Sequence, residues 1–321
     1  MEHAARYHPN RDQLAIATEV TASLESLLPL SRLHASPEES DATWQALADM
    51  GLFGMTRSEE HGGSGLGLAE EALIVMGLGR RLIAPGVIAS VGAMHTPDFA
   101  AAPTDIAVNR VAAGYRCGER LVKIAEHRSR FVLLRQDDRS LLIESNEAAP
   151  RLDSRLWLAD LRRLTDAGEP LAVFAGADQL RLRLLDAAIL VGAAETALDM
   201  AVAYAGVREQ FGRPIGSFQA VKHHCANMAL AARRARDQTS FAAVALEAPR
   251  EDARLQVECA FLTAGNAALE SARLNIQIHG GIGFSDEADP HLVLKRAQLY
   301  INIGGGLEAA AARIAAIEPI L

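Results

Sequence analysis

The chain has 321 residues, 50% hydrophobic and 22% charged, which is long enough for two or three packed units and too apolar for a disordered chain. Its 40 acidic against 32 basic side chains leave a formal charge of −8, which excludes a broadly basic nucleic-acid-binding surface while leaving room for a local basic patch. Three scattered cysteines, Cys117, Cys225 and Cys259, make neither a disulfide framework nor a paired metal motif, and no run reaches the ~18 consecutive apolar residues of a membrane span, so a cytoplasmic protein without nucleic-acid or membrane partners is expected.

In chain order, Leu14, Ile16, Val20, Leu24, Leu27 and Leu28 recur at largely helical spacing and predict a first helix over residues 13–30. Ser36-Pro37-Glu38-Glu39 has the form of an N-cap, a first-turn proline and a capping-box glutamate, so a second helix is expected from there to Met50. A glycine-punctuated loop then leads into an apolar helix that stops before Pro85. Residues 1–104 therefore read as an N-terminal helical domain.

Between 105 and 178 the runs Leu121–Ile124, Phe131–Leu134, Leu141–Ile143 and Leu171–Phe174 are short, apolar and separated by polar turns, which predicts a small β domain. From 179 to 321 long alanine- and leucine-rich segments predict three long antiparallel helices and a shorter one, packed as a four-helix bundle. The predicted fold is mainly α with a small β domain in the middle.

Two stretches carry chemistry. In "YAGVREQFGRPIGSFQAVKHHCANM" (204–228) a helix is expected to end near Gln210, turn through Gly212-Arg213-Pro214 and restart under a Ser217 cap, with Arg208 and Phe211 beside the turn. In "NIQIHGGIGFSDEADPHLVLKRAQLY" (275–300) a helix ends in His279-Gly280-Gly281, where successive glycines allow close backbone approach and can aim amide N–H groups at an anion. The run Lys222-His223-His224-Cys225 lacks the i, i+3 or i+4 spacing that would bring metal ligands to one helix face, so no metal is expected.

Together these stretches resemble the paired C-terminal signatures of the acyl-CoA dehydrogenase family, and "WQALADMGLFGMTRSEEHGGSGLGLAEEAL" (44–73) resembles its N-terminal helical signature. The resemblance implies FAD as cofactor, an acyl-CoA substrate and an electron-accepting flavoprotein as redox partner. It also implies that Arg208, Phe211, Gln277, Gly280 and Gly281 approach an FAD bound mainly to a neighbouring subunit. An arginine near a diphosphate makes independent sense as a charge-assisted donor.

The resemblance also places a glutamate base, which removes a proton from Cα of the acyl group while a hydride leaves Cβ. One subgroup carries it at the position of Gly304, inside "LYINIGGGLEAA", and another at the position of Leu182, before an arginine matched by Arg183 that helps bind substrate. Neither Gly304 nor Leu182 accepts a proton; Asp186 and Glu308 are the nearest carboxylates in sequence. The family's usual middle-domain motifs are not recognisable, and Trp157 sits in "DSRLWLADL" without a flavin-stacking context. The expectation is a shortened partner subunit of a heteromeric α2β2 acyl-CoA dehydrogenase of fatty acid or steroid catabolism, completing a second subunit's FAD site. The alternatives are a self-sufficient homo-oligomer with its base displaced to Glu308 or Asp186, a non-catalytic structural paralogue, and a monooxygenase or hydratase on the same scaffold.

Overall fold

The computed structural model describes residues 9–95, 110–117, 120–124, 129–144, 158–164, 169–248 and 250–318; Trp157 lies outside them. Among the described residues five helices come first: α1 (Arg11–Leu27), α2 (Arg32–Ala35), α3 (Asp41–Asp49), α4 (Leu68–Arg80) and α5 (Pro85–Ala93). Helix α1 starts on a capping box, in which Asn10 Oδ1 accepts from the Asp12 and Gln13 amides and Gln13 Oε1 accepts from the Asn10 amide.

The Ser36–Glu39 box does not open a helix. Helix α3 begins at Asp41, where Ser40 Oγ accepts from the Thr43 amide at 3.1 Å. Glu39 is drawn elsewhere: its buried carboxylate accepts from Arg32 Nε and Nη2, both at 2.8 Å, and from the Ala84 amide at 3.1 Å. A charge-assisted tertiary pairing has outcompeted a local cap, because it supplies more donors to one buried carboxylate.

The middle of the chain forms a six-stranded sheet of order β5-β2-β1-β3-β4-β6, from β1 (Val111–Cys117), β2 (Arg120–Ile124), β3 (Phe131–Arg135), β4 (Ser140–Glu144), β5 (Leu161–Leu164) and β6 (Pro170–Phe174). Strands β1 and β3 run parallel, and the other pairings are antiparallel. Strands β1 and β5 were not among the predicted runs. "VAAGYRC" is too rich in Ala and Gly, and "LRRL" too short and charged, to carry a strand signal alone; partner strands supply the stabilisation. Central strand β3 is buried on both faces: Phe131 and Leu133 join the main core, whereas Val132 joins a smaller outer cluster with Ala112, Ile143 and Leu164.

The last part is the bundle: α6 (Ala177–Val207), α7 (Gln219–Glu247), α8 (Ala253–His279), α9 (Pro290–Ile303) and the shorter α10 (Leu307–Ala315). Helix α6 is the central post, packed against α4, α7, α8 and α9. Its alanines at 187, 188, 193, 194, 197 and 201 are fully buried and let those neighbours approach closely. By length and composition α6 is also apolar enough to cross a membrane, but most of that apolar surface is covered by the bundle.

The α6–α7 junction differs from the sequence expectation. Helix α6 stops at Val207, where Arg208 turns extended (φ −74°, ψ 121°), and Glu209-Gln210 pairs with Arg213-Pro214 as a two-residue hairpin. Its tip is Phe211-Gly212, with φ of 54° and 74°, as a primed hairpin turn requires at both central residues. Ser217 is not a cap: α7 starts at Gln219, and the Ser217 hydroxyl makes no hydrogen bond.

An exposed cofactor-type surface and a filled interior pocket

The junction just described lies beside the end of α8. The Tyr204 ring stacks on His279 with centroids 4.1 Å apart, and His279 Nδ1 donates to the Asn275 carbonyl at 2.8 Å. That stack ties the last turn of α6 to the last turn of α8, so Arg208, Phe211, Gln277, Gly280 and Gly281 converge on one end of the bundle. All five are exposed, and Phe211 at the hairpin tip is 91% exposed.

Gly280 adopts φ 67°, and a Cβ added there or at Gly281 would meet no atom within 4 Å, so the backbone is open to an approaching group. Among the described residues Arg208 has no carboxylate partner. One uncommitted guanidinium, one carboxamide and an accessible glycine pair suit a phosphate-bearing ligand. Val207, Ile282 and Phe284 add exposed apolar surface around them, with Phe284 71% exposed. The residues present therefore fit the diphosphate end of FAD approached from outside the chain.

The interior tells the opposite story. Leu182 and Asp186, one turn apart on α6, line a cavity with Tyr300 and Ile303 of α9, Leu133 and Arg135 of β3, and residues of α5. Its volume is about 10 Å³, room for a single water and no ring system. Gly304 follows Ile303 directly. A Cβ there would lie 2.3 and 2.4 Å from carbons of the buried Phe261 ring and 3.3 Å from Asp186 Oδ2. Leu182 and Ile303, the neighbour of Gly304, thus line the same small cavity, and Asp186 borders both.

Buried charges complete the filling. Arg135 Nη2 donates to Asp186 Oδ2 at 2.7 Å and Nη1 to Oδ1 at 3.3 Å, with both side chains nearly inaccessible. Burial pushes the Asp186 carboxyl above the usual carboxylate range, outweighing the pull of Arg135 and Arg183, and pushes the Arg135 guanidinium down. Arg183 grips both oxygens of Glu258 at 2.7 and 2.9 Å and donates to the Asp137 carbonyl at 3.2 Å; Arg313 Nε joins Glu258 at 3.0 Å. Arg183, matched in sequence to a substrate-binding arginine, is thus 1% exposed and spent on structure.

Of the two carboxylates nearest in sequence, Asp186 is held in its ion pair, and Glu308 is exposed in the first turn of α10, where it complements the helix N-terminus. Sequence reasoning missed Arg135, Phe261, Glu258 and Arg313. The available signal was charge inside apolar helix text, as in "RLRLLDAAILV" and "QVECAFL": such charges need buried partners of opposite sign.

The Phe261 contact makes a direct prediction. Gly304→Ala should destabilise the chain by about 1–3 kcal/mol through overpacking, and Phe261→Leu in the same chain should recover much of that loss. Thermal unfolding of the parent and the three variants reads this out; an unchanged melting temperature for Gly304→Ala would mean that the ring does not hold that space.

Fold and motifs can now be set beside known proteins. Residues 10–102 match the acyl-CoA dehydrogenase N-terminal domain, and residues 180–317 match the acyl-CoA dehydrogenase C-terminal domain. The chain is 32% identical over 270 residues to acyl-CoA dehydrogenase IpdE2 of Mycobacterium tuberculosis, covering 80% of each chain. It is also 32% identical over 297 residues to acyl-CoA dehydrogenase FadE34 of the same organism, covering 81% of this chain but only 39% of that relative's length. This chain belongs to the acyl-CoA dehydrogenase family.

Solved structures share its fold. A chain of the ChsE4-ChsE5 complex from Mycobacterium tuberculosis superposes with a TM-score of 0.76 at 20% identity, covering 98% of this chain and 100% of that one. Butyryl-CoA dehydrogenase from Megasphaera elsdenii gives 0.74 at 17% identity, covering 95% and 96%. A helical, mostly α architecture with a small sheet is thus the family's own.

Proposed function

We propose that this chain is the non-catalytic partner subunit of a hetero-oligomeric, FAD-dependent acyl-CoA dehydrogenase that desaturates an acyl-CoA thioester between Cα and Cβ. The observation that carries this reading is the contrast between its two sites. The outer surface presents an uncommitted Arg208, Gln277 and open glycines, while the interior position of the base is occupied by Phe261 and the Arg135–Asp186 pair.

Bound FAD supplies the hydride acceptor; every step assigned to this chain is one of binding and positioning. Arg208 would neutralise diphosphate charge from across the subunit interface, the Gln277 carboxamide would donate to the same group beside the open glycine pair, and Phe211 would seal the contact from water. The proton acceptor and the acyl pocket would come from the second subunit. That one of the matching folds belongs to a two-component complex supports the arrangement. The steroid acyl-CoA dehydrogenase Tcur3481-Tcur3483 shares the fold with a TM-score of 0.75 at 21% identity, covering 95% of this chain and 96% of that one, and makes a bulky acyl group the first substrate to try.

The test is visible absorption of the chain expressed alone and co-expressed with candidate acyl-CoA dehydrogenase partners, with FAD counted per polypeptide. A colourless lone chain and a yellow complex holding fewer FAD than chains are expected. A lone chain that is fully flavinylated and turns over acyl-CoA would overturn the reading in favour of a self-sufficient enzyme.

A further inference from the structure

The outer face of the sheet, away from the bundle, carries a second concentration of charge. In the register of β1, β2 and β5, Gly114 stands opposite Lys123 and Lys123 opposite Arg162, so one cross-strand row reads glycine, lysine, arginine. The next row on that face reads Arg116, Leu121, Leu164. Two cations directly opposite each other destabilise a sheet unless something neutral or negative stands between them.

Lys123 is only 7% exposed, yet it has no hydrogen bond and no carboxylate partner among the described residues. Burial first and Arg162 second push its ammonium below the usual lysine range. Arg162 Nη2 is engaged by Asp160 Oδ2 at 3.1 Å, but its Nε is buried without a partner. Arg116 is exposed and likewise makes no ion pair among the described residues. Among the described residues the three cations meet the carboxylate of Asp160 alone, and the apolar side chains of Leu121, Leu164 and Val132 flank them.

We propose that Lys123, Arg162 and Arg116 form a binding site for a phosphate monoester dianion on the outer face of the sheet. A dianion matches the surplus charge, and a tetrahedral phosphate offers separate oxygens to the ammonium, to the free Arg162 Nε–H and to the Arg116 guanidinium. Neither the cofactor surface nor the interior pocket contributes a residue to it, so this proposal stands or falls separately from the partner-subunit reading.

Isothermal titration calorimetry and thermal unfolding test it on the full chain, using inorganic phosphate, coenzyme A with its 3′-phosphate, and dephospho-coenzyme A, each against potassium chloride of equal ionic strength. Phosphate at ten times its dissociation constant should raise the melting temperature by roughly 2–4 °C. Lys123→Met, which keeps the burial and removes the like-charge contact, should fold normally and lose that shift, while Arg116→Gln should weaken binding several-fold. Binding of coenzyme A but not of the dephospho form would identify a nucleotide 3′-phosphate as the natural source; binding of inorganic phosphate alone would identify the free ion. A shift that persists in Lys123→Met, a chloride control of the same size, or no binding by any probe would overturn the proposal.

Discussion

Arg208→Ala in the co-purified complex should weaken retention of FAD by roughly 10–150-fold, corresponding to the ~1.5–3 kcal/mol of a hydrogen bond to a charged group. The size follows from the setting. Arg208 leaves the helix in an extended conformation at the C-cap of α6, exposed and without a carboxylate partner among the described residues, so its removal orphans no counter-ion there. The lone variant should accordingly unfold at the parent's temperature. Arg208→Lys should recover only part of the affinity, because an ammonium lacks the planar, two-pronged donor geometry of a guanidinium. Fluorescence of released flavin after dilution or gel filtration measures the effect. Full flavin retention by Arg208→Ala would remove this residue from the cofactor surface and leave it a solvated helix-end cation.

Asp186→Asn should cost about 3–5 kcal/mol of stability. It would leave the Arg135 guanidinium buried without its counter-ion, beside a cavity with room for one water. Both partners sit in the direction that burial imposes, the carboxyl pushed up and the guanidinium down, so the pair itself is held against a desolvation cost. Replacing both members, as Arg135→Met with Asp186→Leu, should therefore return most of the lost stability. Denaturant unfolding of the two single variants and the double variant closes the cycle. The same set discriminates roles: a general base would lose about 10²–10⁴-fold in turnover on amidation, whereas a structural ion-pair member leaves turnover per bound FAD unchanged in whatever complex still folds.

The order of the architecture was legible from periodicity, because long amphipathic helices and short apolar strands leave distinct spacings. The bundle and four of the six strands were read that way. What resisted were choices settled by distant partners. Glu39 looked like a capping residue and instead serves Arg32 and the Ala84 amide; α6 stops before the anticipated turn because Glu209 and Gln210 find strand partners in Arg213 and Pro214. The convergence of the two C-terminal motifs was not legible, because it rests on the Tyr204–His279 stack and nothing in either motif announces the other. That residue 304 is a glycine could be read directly; that the Phe261 ring, more than 40 positions earlier, fills the space a side chain there would take required the fold.

That ring gives residue 304 a direction in time. A single substitution placing a side chain at 304 would drive its first carbon to within 2.3 Å of an aromatic atom, so such a variant would be selected against for its folding before it could be selected for any chemistry. A larger residue there would need Phe261 to change first. The packing of one phenyl group thus acts as a ratchet, holding position 304 as glycine in descendants of this chain.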